Sequence, residues 1–139
     1  MPNPEPGSVL HIRGYASRGH PPKDKYLFVI GPEMPSVLLA FLISAQGKWM
    51  SSEAHKRESV VVPKGTAPFL GRQSFIQCWV LERLDLDTLR AGMQRHAVEC
   101  CGNLPRRFLQ MVREVVHDPY LLESGDALAA RWVLDKTLG

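Results

Sequence analysis

The amino-acid sequence predicts a mainly β protein with α-helices, in which a small antiparallel barrel precedes a helical C-terminal extension. Five short apolar runs separated by loops fill residues 1–80, and the apolar period becomes helical after Leu84. A chain of 139 residues with 45% hydrophobic content can bury one core. We therefore expect a barrel domain at residues 1–85 and a helical extension at residues 86–139 packed on it.

The five apolar runs are interpreted as strands. The first alternates weakly, and the second and third are continuous apolar runs joined by Gly31–Pro35. That connection favours a tight hairpin, since glycine adopts unusual dihedrals and proline fixes its own. Runs this close together leave no room for helical crossovers, so the strands should pair antiparallel. The predicted strands are Val9–Tyr15, Tyr26–Gly31, Ser36–Ser44, Ser59–Pro63 and Ser74–Val80.

Three helices are predicted in the extension, each beginning at a polar residue that can cap its first turn. The capping residues are Asp87, Asn103 and Ser124. The expected apolar faces are Leu89, Met93 and Ala97 on the first helix, Phe108, Leu109, Val112, Val115 and Val116 on the second, and Leu128, Trp132 and Val133 on the third.

Charge and hydropathy narrow the class of protein. Residues 1–80 carry nine Lys/Arg against five Asp/Glu, whereas residues 81–139 carry eight against nine. The basic excess is compatible with a phosphate-bearing partner, although a solvated basic face is the commoner explanation. Leu38–Ile43, the most apolar run, is too short to span a bilayer, and no signal-peptide pattern precedes it. We therefore expect a soluble, cytoplasmic protein with no membrane partner.

The three cysteines indicate reduced thiols, because their number is odd and two are adjacent. In "HAVECC", His96 and Cys100 have the spacing of two metal ligands on a helix face, but no second matched pair accompanies them. Small buried thiols beside a helix end explain this stretch better. Cys78, in a predicted strand, lacks the exposed, positive setting of a nucleophile. We expect no metal site and no cofactor.

The chain contains, in this order, a basic loop, "KYLFVIG", a turn, "LLAFLIS" with its final hydroxyl residue, "VVVPKG", and "FLGRQSFIQCWVLERLD" before a helix. This order resembles the MazF/PemK-like toxins of toxin–antitoxin systems, over about the first 90 residues. The resemblance implies an SH3-like barrel that cleaves RNA without a metal. The helical tail resembles the C-terminal extensions of divergent members.

The resemblance places a catalytic site at two strand ends. Where the family has a basic residue, usually arginine, before its second strand, this chain has Lys23 and Lys25. The family's Ser/Thr at the end of the third strand matches Ser44. Cleavage of RNA without a metal requires proton transfer and cations near the charge that develops on phosphorus, and His20 is the nearby group suited to proton transfer. The predicted catalytic residues are Lys25, Ser44, Lys23 and His20.

Cations and an aromatic residue flank these strand ends. A tryptophan interleaved with cations suits single-stranded RNA, whose bases stack and whose phosphates attract positive charge. The predicted RNA-binding residues are Arg18, Gln46, Lys48, Trp49 and Arg72. Simpler interpretations stay open: solvated lysines that protect a strand edge, a serine bonded to its own backbone, an exposed loop histidine, and a tryptophan that covers one end of the barrel.

Three functions are compatible with the sequence. The first is a metal-independent endoribonuclease toxin that cleaves single-stranded RNA and is neutralised by a cognate antitoxin. The second is a non-catalytic barrel that binds RNA or a protein partner, and the third is an unrelated SH3-like or OB-like adaptor. Members of the resembled family dimerise through their barrels, and the amphipathic helix Asn103–His117 offers a further apolar surface, so we expect a homodimer.

Overall fold

The computed structural model describes residues 4–15, 22–45 and 47–139. Within these ranges the chain forms a six-stranded antiparallel sheet and four α-helices, so the predicted class, mainly β with α-helices, is confirmed. The strands are β1 (Ser8–Tyr15), β2 (Lys23–Met34), β3 (Val37–Ser44), β4 (Ser59–Val62), β5 (Ser74–Asp85) and β6 (Val98–Asn103). The helices are α1 (Glu53–Arg57), α2 (Leu86–Gln94), α3 (Arg107–His117) and α4 (Ser124–Leu138), and a 3-10 helix spans Lys48–Ser51.

The strand order is β4-β5-β3-β2-β1-β6, and every neighbouring pair is antiparallel. β4 and β6 are the two edges, and no ladder joins them within the described ranges, so the predicted barrel is not closed. β6 was not predicted, because residues 86–139 were expected to be helical. Since His96 precedes this strand and Cys100 lies in it, the two residues do not share a helix face, and the interpretation of Cys100 as a buried thiol is wrong because it is exposed.

The sheet bends so that β1 and β5 approach each other. Burial and the neighbouring Glu82 carboxylate on β5 raise the pKa of Tyr15 on β1, although β2 and β3 lie between the two strands. Three strand spacings in a flat sheet would separate the two strands by roughly 14 Å. Between the pairs Phe41–Leu81 and Leu42–Gln77, β5 contains three extra residues. Such a bulge bends a strand and increases its twist.

Each face of the sheet packs against helices. We call the face that bears Leu27, Val29 and Leu42 the concave face, because Tyr15 and Glu82 meet across it. Leu86 and Leu89 of α2 pack there. The opposite, helix-covered face is packed against α3 and α4; its members include Phe28, Ile30, Phe41, Ile76, Phe108, Val112, Ala130 and Val133.

The predicted Gly31–Pro35 turn is shifted, because β2 continues to Met34 and the turn lies at residues 35–36. The β2–β3 register shifts between Val29 and Gly31. Gly31 has a φ of +142°, and a Cβ built on it would lie 2.8 Å from Thr137 Oγ1 and 2.9 Å from Val133 Cγ1 of α4. Gly31 therefore belongs to the strand and allows α4 to approach the sheet closely.

A buried carboxylate fixes the connection between α3 and α4. Glu58, just before β4, is 5% exposed. Its carboxylate accepts hydrogen bonds from the backbone N–H groups of Tyr120, Leu121 and Leu122. Charge-assisted bonds of this kind are stronger than neutral ones, so Glu58 joins the helical layer to the sheet.

The predicted caps are wrong at all three helices. Asp85 caps α2 by accepting from Thr88 N–H at 2.9 Å, and the helix ends at Gln94, before Ala97. Arg106 precedes α3 and makes no side-chain cap bond. The Glu123 carboxylate caps α4 by accepting from the amides of residues 125 and 126. Local sequence identifies helix-start residues but does not choose between neighbouring polar ones.

The apolar face predicted for α3 is confirmed, whereas the face predicted for α4 differs from the structure. On α4, Leu128 and Trp132 are 62% and 54% exposed, and the buried face is Ala127, Ala130, Val133 and Leu134. On α3 the apolar residues Phe108, Leu109, Val112 and Val116 are buried within this chain. The apolar face of α3, which we expected to add to a homodimer interface, is therefore packed within this chain. No helix within the described residues is long and apolar enough to cross a bilayer.

Candidate functional site

The start of β2 and the end of β3 are neighbours in the sheet. Tyr26 pairs with Ile43, which places Lys25 and Ser44 at the next position on the two strands. Side chains alternate along a strand, so Lys25 follows Leu27 and Ser44 follows Leu42 onto the concave face. An ammonium and a hydroxyl group thus occupy adjacent strand positions on one face.

Lys25 is the less exposed of the two lysines. It pairs with Ile12 of β1 and is half-buried, whereas Lys23 is exposed. Burial lowers the pKa of Lys25, and the neighbouring charge of Lys23 lowers it further. Desolvation and a like charge both disfavour the ammonium form, which makes Lys25 a better proton donor than an ordinary lysine.

Ser44 is held by a side chain that was not predicted to belong to the site. The Gln77 side-chain amide donates a hydrogen bond to Ser44 Oγ. Gln77 lies on β5 and pairs with Leu42, which puts it on the concave face with Ser44. With its oxygen accepting from Gln77, the hydroxyl hydrogen of Ser44 is directed toward another acceptor. The alternation of side chains along β5 places Gln77 on the same face as Phe75. The sequence does not indicate its hydrogen-bond partner, because Ser44 lies 33 residues away.

An aromatic cluster adjoins Ser44. We define it as Trp49, His55, Phe75 and Trp79. Phe75 pairs with Ser44, and the Trp49 ring meets Phe75 and Trp79 edge-on, with centroids 5.3 Å and 5.1 Å apart. Both tryptophans are half-buried. Lys48, on the same 3-10 helix as Trp49, is exposed.

The helix-covered face has its own pocket at this end of the sheet. Its volume is about 370 Å³, and its lining includes Tyr26, Ser44, Phe69, Arg72 and Ser74. His11 stacks on Tyr26 with ring centroids 4.7 Å apart. Arg72 is exposed, and the Ser74 hydroxyl donates to the Arg72 carbonyl oxygen at 3.1 Å. Ser74 is therefore turned toward its own loop.

The structure thus brings several predicted residues to one end of the sheet. Lys25, Ser44 and the aromatic cluster lie along one end of the concave face, and Arg72 lines, together with Ser44, the adjoining pocket. Arg18, His20 and Gln46 lie outside the described residues. The catalytic and RNA-binding roles of all these residues stay predictions. Gln77, Tyr26 and His11 are neighbours of the site that the sequence did not indicate.

A comparison with models of known protein families finds no match for this chain, and no curated protein is similar to it. The function therefore has to be argued from the geometry of the two strand ends.

Proposed function

We propose that the protein is a metal-independent endoribonuclease toxin that cleaves single-stranded RNA in the cytoplasm and is neutralised by a cognate antitoxin. The observation that carries this proposal is the Lys25–Ser44 arrangement. A half-buried lysine with a lowered pKa stands beside a hydroxyl whose oxygen already accepts from Gln77. A cation and a directed hydroxyl donor are the groups that a phosphodiester requires as negative charge develops.

In this mechanism the Ser44 hydroxyl donates to a non-bridging phosphate oxygen, and the Lys25 ammonium stabilises the charge on phosphorus. The 2′-hydroxyl of the preceding ribose attacks phosphorus, and the 5′-oxygen leaves with a proton. Lys25 is placed to supply that proton, since its lowered pKa makes it a better acid. His20 is assigned the removal of the proton from the 2′-hydroxyl.

The aromatic cluster supports RNA as the substrate. Trp49 and Trp79 are half-buried and adjoin Ser44 through Phe75, beside the position proposed for the scissile phosphate. Stacking on aromatic rings tolerates any base and suits single-stranded rather than paired RNA. Lys23 and Lys48 are exposed cations near the same end.

The test is cleavage of a labelled single-stranded RNA by the purified protein in EDTA. Lys25→Ala should slow the reaction on the order of 100-fold, because removing one group that stabilises developing charge has an effect of this size. Lys136→Ala is the matched control, since Lys136 lies on α4 and contacts Trp132 there. An unchanged rate in Lys25→Ala, with the fold intact by circular dichroism, would contradict the site assignment.

A second function is favoured by one observation. Aromatic rings and lysines are sufficient to bind single-stranded RNA without any proton transfer. A lysine also lacks the bidentate hydrogen bonding to phosphate that arginine provides. A non-catalytic module for RNA or a protein partner therefore stands as the alternative. Tight binding of the RNA by the parent protein without cleavage would select it.

A further inference from the structure

The adjacent cysteines lie at an irregularity of an edge strand. Leu10 of β1 pairs with Cys100 and Val9 with Gly102, so Cys101 is an extra residue in β6. Cys100 is exposed and Cys101 half-buried, whereas Cys78 is fully buried. β6 has no neighbour on its other side within the described residues. Both thiols are thus on a strand that can move without breaking the centre of the sheet.

The next residue couples this bulge to the pocket of the helix-covered face. Gly102 has a φ of +144°, and a Cβ built on it would lie 2.9 Å from Cε1 of Phe69. Phe69 lines the pocket with Tyr26 and Arg72. On the other side of the bulge, Glu99 pairs with His11, which stacks on Tyr26. The backbone on either side of the two cysteines therefore supports two walls of the pocket.

We propose that Cys100 and Cys101 form a vicinal dithiol that low-molecular-weight disulfides oxidise to an intramolecular disulfide, and that closing this ring displaces Phe69 from the pocket wall. This site lies beyond the proposed nuclease chemistry, and its test uses no RNA. The ligand class is a small disulfide such as oxidised glutathione.

Two exchange steps complete the oxidation. The Cys100 thiolate attacks one sulfur of the small disulfide, which releases one thiol and leaves a mixed disulfide on Cys100. The Cys101 thiolate then attacks the Cys100 sulfur, and the second small thiol leaves. Two protein thiols are oxidised, one disulfide is reduced to two thiols, and the protons lost by the cysteines are taken up by the leaving thiolates.

The order of attack follows from the environment of each thiol. Burial raises the pKa of Cys101, and the charges of Glu99 and Cys100 raise it further. The exposed Cys100 is therefore the first nucleophile. A thiolate with a raised pKa is a scarcer but stronger nucleophile, which suits Cys101 to the second step.

Ring closure is incompatible with the observed strand. An extended strand directs successive side chains to opposite faces, whereas a disulfide requires its two sulfur atoms to lie about 2.05 Å apart. The backbone at Cys100 and Cys101 must therefore turn, and the Val9–Gly102 pairing cannot persist unchanged. Because a side chain at Gly102 would collide with Phe69, a shift of Gly102 moves that ring or opens a gap beside it.

The experiment treats the full-length protein with oxidised glutathione and follows intact mass, peptide mapping and amide hydrogen exchange. We expect loss of two hydrogens mapped to the peptide that contains Cys100 and Cys101, with Cys78 still alkylated only after unfolding. Exchange should become about tenfold faster, or more, in residues 98–103 and 67–72, as expected for a locally opened unit. Reduction by dithiothreitol should restore the original exchange rates in the same protein sample.

Cys100→Ser and Cys101→Ser provide the controls and should abolish both the mass loss and the faster exchange. Three results overturn the proposal: a stable mixed disulfide on Cys100 without ring closure, a disulfide between two chains, or ring closure that leaves exchange at residues 67–72 unchanged. Thiols that stay reduced under the same treatment overturn it as well.

Discussion

The two faces of the sheet differ in what they contribute at the same end of the molecule. The helix-covered face is packed by α3 and α4, and its polar groups are satisfied locally, as Ser74 is by the Arg72 carbonyl. The concave face ends in Lys25, Ser44 and Gln77, where a depressed pKa and a directed hydroxyl are found. Burial thus accompanies helix packing on one face and a lowered lysine pKa on the other.

We infer from this difference that α3 and α4 stabilise the sheet and do not take part in the proposed chemistry. Gly31 lies six residues from Lys25 along β2, and the Glu58 carboxylate binds the backbone of residues 120–122 rather than any group of the candidate site. Substitutions there should lower stability and leave the chemistry of the folded molecules intact, whereas substitutions on the concave face should do the reverse.

The largest stability effect is expected at Glu58. Glu58→Ala leaves three backbone N–H groups without their carboxylate, and we expect a loss of about 3 kcal/mol in the free energy of unfolding. Urea denaturation measures it, with Glu53→Ala, on the exposed surface of α1, as the control. Equal midpoints for the two variants would show that the helical layer is held by apolar contacts alone.

A smaller loss is expected at Gly31. Gly31→Ala introduces a Cβ into Val133 and Thr137, and we expect about 2 kcal/mol from overpacking together with the unfavourable φ. Gly65→Ala separates these two causes, because Gly65 has a φ of +91° and open space around it. If both variants lose the same stability in thermal unfolding, the close approach of α4 contributes nothing.

On the concave face, Trp49→Ala should weaken RNA binding while the fold is retained. Stacking of one base on an aromatic ring contributes about 1–3 kcal/mol, so an affinity loss of about tenfold is expected. Fluorescence anisotropy with a short labelled RNA measures it. Trp132→Ala, on the exposed surface of α4, is the matched control, and an equal loss in both variants would refute the cluster as a binding surface.

The smallest effect is a shift in pH dependence. The Lys25 ammonium is lost as pH rises through its pKa, which is lowered by burial and by Lys23. Lys23→Ala removes the like charge, so the pKa of Lys25 should rise and the alkaline fall in cleavage should move to higher pH. Lys48→Ala should leave the position of that fall unchanged. A shift to lower pH in Lys23→Ala would mean that another group controls the profile.

The sequence allowed the sheet to be predicted better than the site. Continuous apolar runs such as Leu38–Ile43 identified the central strands, because buried strands need apolar side chains on both faces. β6 was missed because it is a short edge strand with exposed polar residues and a bulge. Gln77 and Glu58 were missed for another reason: their partners lie 33 and at least 62 residues away, beyond any local pattern.

Two serines at the same end of the sheet test whether RNA cleavage occurs on the concave face. Ser44→Ala and Ser74→Ala each remove one hydroxyl, from the concave and the helix-covered face respectively. With single-stranded RNA in EDTA, cleavage by Ser44→Ala should slow on the order of 100-fold, while Ser74→Ala should cleave at the parent rate. Equal rates in the two variants, or a greater loss in Ser74→Ala, would contradict the account.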